Sequence, residues 1–416
     1  MAVRSTSETP DKGNRTILVI IGILVVILIL LFMFSQSHPP AQAQYNSTSA
    51  APGQGSGPQQ YYNVTQPSVL TTAPVQQNAS LSPSGLIYCI GGLNNTPSSI
   101  NASEFAQVYN TGRYGLNSTI SWTYGPNYPL SVYYPSCVKN SDNFYCIGGE
   151  KFKPSANSNG PAPANFSNVT VSYPVYSTAD QSSVYSAQLL INATPHWTQT
   201  TSYPQPIDSA SCVAYTNYIY CTGGEYNFSA VENSYYATIN GQQVGQWQST
   251  TPYPVPVLFK SCVTFNGYIY CVGGAKGLNS TNAAYYAQLS PSGIGQWHRT
   301  ASYPINVTSA QCVQSNGFIY CIGNNAFFGA DNATYYAPLT SSGIGTWSQG
   351  TSYPYPYQPS ECVPSNNSVY CIGASDSYGT YYDVVTYANI SQSGIGQWNQ
   401  LNAFPTPIYA QSCVAT

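Results

Sequence analysis

Residues 261–274, SCVTFNGYIYCVGG, set two cysteines nine positions apart around an Asn-Gly. The same spacing recurs in Cys137/Cys146, Cys212/Cys221, Cys312/Cys321 and Cys362/Cys371, leaving only Cys89 and Cys413 outside it. Asn266-Gly267 suits a two-residue hairpin turn, because both central residues of that turn need positive φ. Phe265 then faces Tyr268, and counting outward puts Cys262 opposite Cys271 on a non-hydrogen-bonded pair. Such partners have Cα atoms about 4.5 Å apart, within a disulfide's reach. The other turns would be Ser141-Asp142, Thr216-Asn217, Asn316-Gly317 and Asn366-Asn367, mostly residues that accept the left-handed region. Structural zinc fits poorly, since the spacing is not C-x2–4-C and no ligating His accompanies it. Staples across neighbouring strands are the better reading, and they point to an oxidising compartment.

The hairpin belongs to a longer repeat. From residue 85 onward the chain recurs with a period near fifty: a cysteine hairpin, a variable stretch, a strand like YYAQL, then SGIGxW and a Tyr-Pro segment. All six tryptophans keep this frame, at Trp122, Trp197, Trp247, Trp297, Trp347 and Trp398. A period of that length with four strand-like segments is the pattern of a β-propeller. GLIYCIGG at the start lacks a first strand and AQSCVAT at the end lacks a second. Pairing Cys89 with Cys413 makes the sixth hairpin from the two ends. The expected fold over residues 85–416 is all-β, a six-bladed propeller with N/C-terminal strand closure. YIYCVGG followed by a Tyr-bearing strand and a Trp strand resembles the kelch repeat, with its aromatic-x-x-Gly-Gly. The chain departs from that family in its Cys pairs and in two doublets, Gly323-Asn324 and Gly373-Ala374. The resemblance implies architecture; kelch-like propellers serve enzymes and binding scaffolds alike.

Ahead of the repeats, Ile17 to Phe34 is an unbroken run of apolar or glycine residues. Eighteen helical residues span about 27 Å, close to the bilayer core. Arg4, Lys12 and Arg15 precede the run and no Lys or Arg follows until Arg113. The positive-inside rule then gives a cytoplasmic tail (1–16), a single transmembrane helix (17–34) and an extracellular remainder. A cleaved signal peptide is the alternative, with Ala41-Gln42-Ala43 as the site; the length of the apolar run favours the anchor. Lys12-Gly13 faintly resembles an archaeal pilin-type processing site. Residues 35–84, rich in Pro, Gln, Ser and Thr, are expected to form a disordered stalk, since they hold too little apolar area to offset ordering.

Only 6% of residues are charged, against about 25% in an average domain. Beyond residue 35 there are seven basic and eleven acidic side chains, which excludes a nucleic-acid partner, whose phosphates require clustered Lys and Arg. Fifteen Asn-x-Ser/Thr sequons lie beyond residue 35 and fit a surface glycoprotein. Function should sit on the face that gathers the loops after the second and fourth strands of each blade. There Glu150 and Glu225 both follow Gly-Gly in neighbouring blades and could approach one another, as a Ca²⁺ site or for acid–base work on a glycan. The repeated tyrosines Tyr203, Tyr253, Tyr303 and Tyr353, with Tyr128 and Phe404 in the same frame, offer rigid area for sugar or protein contacts. Their repetition is equally what blade architecture would require. His196 and His298 flank tryptophans of different blades and should not converge. No nucleophile–base constellation, metal set or cofactor motif stands out. The expectation is a non-enzymatic, membrane-anchored surface module with a protein or glycan ligand. An extracellular carbohydrate-active enzyme and a structural coat protein are the alternatives. Sparse charge and many hydroxyls also look like an archaeal surface protein adapted to an acidic medium.

Overall fold

The computed structural model describes residues 85–95, 100–109, 119–154, 176–189, 195–277, 279–326, 329–376 and 379–416, and its regular elements are all strands. The expected tail, transmembrane helix and stalk lie outside these residues, as does the stretch 155–175.

Six antiparallel sheets form the blades. Blade 1 joins both ends of the described chain, running Thr119–Tyr124, Ser103–Tyr109, Gly85–Ile90 and Ser412–Ala415 from rim to axis. Blades 2 to 6 begin on the strands Ser136–Asn140, Ser211–Tyr215, Ser261–Phe265, Gln311–Ser315 and Gln358–Ser365, each innermost in its sheet. These six inner strands contact one another in sequence, and Ser412–Ala415 returns to Ser136–Asn140 to close the ring.

The six disulfides join the predicted partners: Cys89–Cys413, Cys137–Cys146, Cys212–Cys221, Cys262–Cys271, Cys312–Cys321 and Cys362–Cys371, with Cα separations of 4.0–4.1 Å. The turn residues Ser141, Thr216, Asn266, Asn316 and Asn366 all take positive φ, near 50°. The two-residue turn is therefore what sets the cysteine register. The two sulfurs of a hairpin are not equivalent, however. Cys146, Cys221, Cys271, Cys321 and Cys371 lie on second strands, paired on both sides, and are 0% exposed. Their partners Cys137, Cys212, Cys262 and Cys312 lie on inner strands and are only partly covered, because those strands border the axis.

Blades adhere through aromatic side chains. The second-strand tyrosine of one blade reaches the turn of the next: Tyr220 Oη donates to Ser290 O at 2.8 Å, Tyr270 Oη to Thr340 O at 2.7 Å and Tyr320 Oη to Ser391 O at 2.7 Å. Tyr145 Oη bonds Gly241 O in the same way. On the other side of the interface, Tyr203, Tyr253 and Tyr303 stand edge-on to Trp247, Trp297 and Trp347, with ring centroids 4.9–5.0 Å apart. Edge-to-face pairs of this kind add about 0.5–1.5 kcal/mol beyond their buried area.

The Gly doublet has a split role. Its first glycine is kept in all six blades, from Gly91 to Gly373, with φ between 59° and 69°. A Cβ there would collide with the segment entering the neighbouring blade; at Gly273 it would meet Val307 Cγ1 at 2.5 Å. The second glycine, such as Gly274 at φ 103°, survives only in blades 1 to 4. In blades 5 and 6 the strand runs on as Phe318–Ala326 or Ser368–Ser375, with a bulge at Ile322/Asn324 or Ile372/Ala374. That bulge is why Asn324 and Ala374 can replace the second glycine.

Candidate functional site

The loops after the second and fourth strands do share one face. Bridges such as Leu93 to Tyr409, Tyr133 to Glu150 and Asp208 to Glu225 tie them together. Around the axis, the residues entering the inner strands form a hydrogen-bonded belt. Tyr134 N donates to Ala410 O (2.8 Å), Ser209 N to Tyr134 O (3.2 Å), Phe259 N to Ser209 O (3.4 Å) and Ser309 N to Phe259 O (2.8 Å). In blade 6 the Gln358 side chain takes over, with Nε2 donating to Ser309 O at 3.1 Å, and Ala410 N donates to Ser360 Oγ at 2.8 Å. Tyr134, Ser209, Phe259, Ser309 and Ala410 all hold positive φ although none is glycine, a conformation that recurs where surrounding structure over-determines it.

The belt surrounds an axial cavity of about 240 Å³. Its mouth carries three rings, Tyr134 lying 4.8 Å from Phe259 and 6.1 Å from Tyr409 between centroids. Below them lies a polar tier made by the residue before each inner-strand cysteine: Ser412, Ser136, Ser211, Ser261, Gln311 and Glu361. Four of these residues are serines that serve the blades. Ser412, Ser136 and Ser261 accept from the backbone N of Cys137, Cys212 and Cys312 at 3.0–3.1 Å, while Ser211 Oγ donates to Lys260 O. Glu361 is different, since its carboxyl has no hydrogen-bond partner among the described residues and lines the cavity. Burial pushes it up to about 8. Lys260 is the ionisable residue of opposite sign here, and its ammonium is engaged between blades 3 and 4. Nζ donates to Thr222 O and lies 5.0 Å over the Tyr253 ring, and burial lowers it to about 7.

Glu150 and Glu225 lie near enough, with Asp180 and Asp208, for their charges to act on one another. Glu150 pairs with Asp180 across the ribbon Glu150–Pro154/Tyr176–Asp180, and Asp208 bridges Glu225. Asp208 rises to about 8, first through burial and then through the charges of Glu150, Glu225 and Asp180, although Ser209 Oγ donates to its Oδ2 at 2.6 Å. Among the described residues no group of His, Cys, Asp and Glu has the geometry to hold a metal ion. His196 and His298 stay on different blades, and His298 lies against Tyr286 with centroids 5.5 Å apart.

One expectation about site residues needs correction. Tyr203, Tyr253, Tyr303 and Tyr353 present no ligand-contacting surface, for all are 0–3% exposed. Tyr128 and Phe404 are buried with them. Each is a wedge between blades, so the tryptophan partner takes the ring area that a ligand would need. The cysteines, by contrast, are the staples the sequence implies, and Cys146, Cys221, Cys271, Cys321 and Cys371 are sealed in the blade cores. They count as site residues only as staples, because a strand flanked on both sides in its sheet and packed on both faces leaves no sulfur for a ligand to touch. The rings that do reach the cavity, Tyr134, Phe259 and Tyr409, follow no shared aromatic pattern: Ser209, Ser309, Pro359 and Ala410 stand where Tyr134 and Phe259 do, and Tyr409 precedes that place by one residue. Glu361 was overlooked as well, although its signal was present as a carboxylate where four repeats carry Ser. Asp180 and Asp208 sit in dissimilar loops and gave no such signal.

No protein-family model matches the chain, and no curated protein is similar to it in sequence. Among solved structures, the one titled "Structure of YjhT" is similar with a TM-score of 0.53 at 12% identity, covering 77% of this chain and 99% of that one. YjhT is a propeller, and at this identity the likeness concerns the fold alone. With the six stapled sheets and their closure, it establishes the described residues as a six-bladed β-propeller.

Proposed function

We propose that this protein is a membrane-anchored surface module of kelch-like type, held outside the cell by residues 17–34 and a stalk (35–84), which binds a glycan through the loop-rich face of its propeller. The observation carrying this reading is the axial cavity. It combines aromatic rings at the mouth with hydroxyl and amide groups beneath, the mixture that suits a sugar with one apolar and several polar edges. Six disulfides support an oxidising, external location, and the low charge leaves no attraction for nucleic acid. The test is a titration of the full-length, detergent-solubilised protein with a panel of mono- and oligosaccharides. Saturable binding that falls at least tenfold in Tyr409→Ala supports the reading. Binding unaffected by that change, or none across the panel, refutes it.

A second reading, an extracellular enzyme acting on carbohydrate, draws on Asp208 alone. A carboxyl lifted to about 8 beside the charges of Glu150 and Asp180 is the arrangement of a general acid with a carboxylate neighbour. Glycosidase activity toward surface polysaccharide that disappears in Asp208→Asn would favour this reading over simple binding.

A further inference from the structure

We infer that the axial cavity takes the protonated amine of an amino sugar, with the Glu361 carboxylate as its ion-pair partner and the rings of Tyr134, Phe259 and Tyr409 around it. This rests on the reading of the cavity as a saccharide site and narrows it.

The argument begins with what each blade places before its inner cysteine. Serine there is a structural device, lending Oγ to the next blade's cysteine N–H in three interfaces. In blade 6 the device is replaced by a longer acid that makes no such bond. Glu361 is half-buried and faces the cavity without a protein partner, so its charge is met only by whatever fills the cavity. A cationic ligand supplies what is missing, because an ammonium beside the carboxylate offsets the desolvation that neutral hydroxyls leave in place. The collar points the same way. Aromatic faces carry negative quadrupoles and attract ammonium groups within about 6 Å, while the hydroxyls of Ser136, Ser261 and Ser412 suit the remaining ring edges. An acidic sugar is disfavoured, since it would add a second negative charge and the Lys260 ammonium is bound to Thr222 O.

The charge logic gives a distinctive signature. Burial is the sole cause of the raised Glu361 value. The other titratable groups lining the cavity are Lys260, Tyr134 and Tyr409. The strands packed on that of Glu361 add Tyr320, Tyr335, Tyr336 and Tyr370. At pH 6, Glu361 is protonated when the cavity is empty, so forming the ion pair must expel its proton while a sugar amine, with an ordinary value near 8, keeps its own.

The experiment is calorimetric titration of the full-length protein with glucosamine and, separately, glucose, in two buffers of different ionisation enthalpy between pH 5 and 7. The expected result is glucosamine binding at least tenfold tighter than glucose at pH 7. Close to one proton should be released per amine bound at pH 6, with affinity rising about tenfold per pH unit. Glu361→Gln should abolish both the preference and the proton release, and Tyr134→Leu should weaken both sugars. Equal affinity for the two sugars without proton release overturns the ammonium assignment and leaves a neutral saccharide site standing. Binding of neither sugar at millimolar concentration overturns the cavity as a saccharide site altogether. A Glu361→Gln protein that fails to fold leaves the wild-type proton count and the glucose comparison to decide.

Discussion

Removing the ring-closing disulfide should cost the propeller about twice what removing a local one does. Cys89 and Cys413 are separated by 324 residues and the hairpin cysteines by 9. If a staple acts by restricting the unfolded chain, the closing bond contributes about 6 kcal/mol and each hairpin bond about 3 kcal/mol. The comparison to make is Cys89→Ala/Cys413→Ala against Cys262→Ala/Cys271→Ala, both followed by urea unfolding under non-reducing conditions. Cys89, Cys413 and Cys271 are buried and Cys262 is partly covered, so the packing losses differ by one half-buried sulfur and loop length accounts for most of the difference. At an m-value of about 3 kcal/mol per molar urea, the closing pair should lower the midpoint by about 2 M and the local pair by about 1 M. There is also a positional signature. Ser412–Ala415 is joined to blade 1 only through Gly85–Ile90, so the closing variant should lose amide protection in that strand before any other. Equal midpoint shifts for the two pairs would refute the entropic argument and make the staples local packing elements. Retained protection at the C-terminus would refute the view that the bond, rather than the strand pairing, completes the ring.

Four further outcomes follow from packing and burial. Gly273→Ala should destabilise by about 2–4 kcal/mol, because φ is 69° and the new methyl would sit 2.5 Å from Val307 Cγ1, whereas Gly277→Ala, open to solvent, should cost about 1 kcal/mol; thermal unfolding of the two compares them directly. Tyr303→Ala should remove about 3–5 kcal/mol and lower the Tm by about 10 °C while leaving saccharide affinity unchanged, since the ring is a wedge between blades. Acid should favour the fold rather than disrupt it through Glu104, which is 1% exposed and raised by burial to about 7. Its folded value lies above the unfolded one, so its contribution is complete below about pH 4.5 and is lost as pH rises through 7. Glu104→Gln should therefore recover about 3 kcal/mol at pH 8 and nothing at pH 4. Lys260, lowered to about 7, opposes this trend because its burial penalty is greatest below pH 7; Lys260→Met should gain stability at pH 5 relative to pH 10.

Much of the architecture is local and could be read in one dimension. A two-residue turn dictates which residues face each other, so Asn266-Gly267 alone places Cys262 against Cys271, and six copies of one hairpin imply six blades. The orphan cysteines carry the closure for the same reason. The site was legible only where one repeat breaks a pattern kept by others, as Glu361 does among serines. What the tertiary structure decided is which residues are spent on the fold. Tyr303 and Tyr134 are equally tyrosine in sequence, yet one fills the space between two blades and the other rims the axis. Cys312 and Cys321 are equal partners in a hairpin, yet only the first borders the axis. Asp180, Asp208, Glu150 and Glu225 likewise come together through the docking of two blades. That docking depends on side-chain volumes summed over whole interfaces, and no short stretch of the chain contains such a sum.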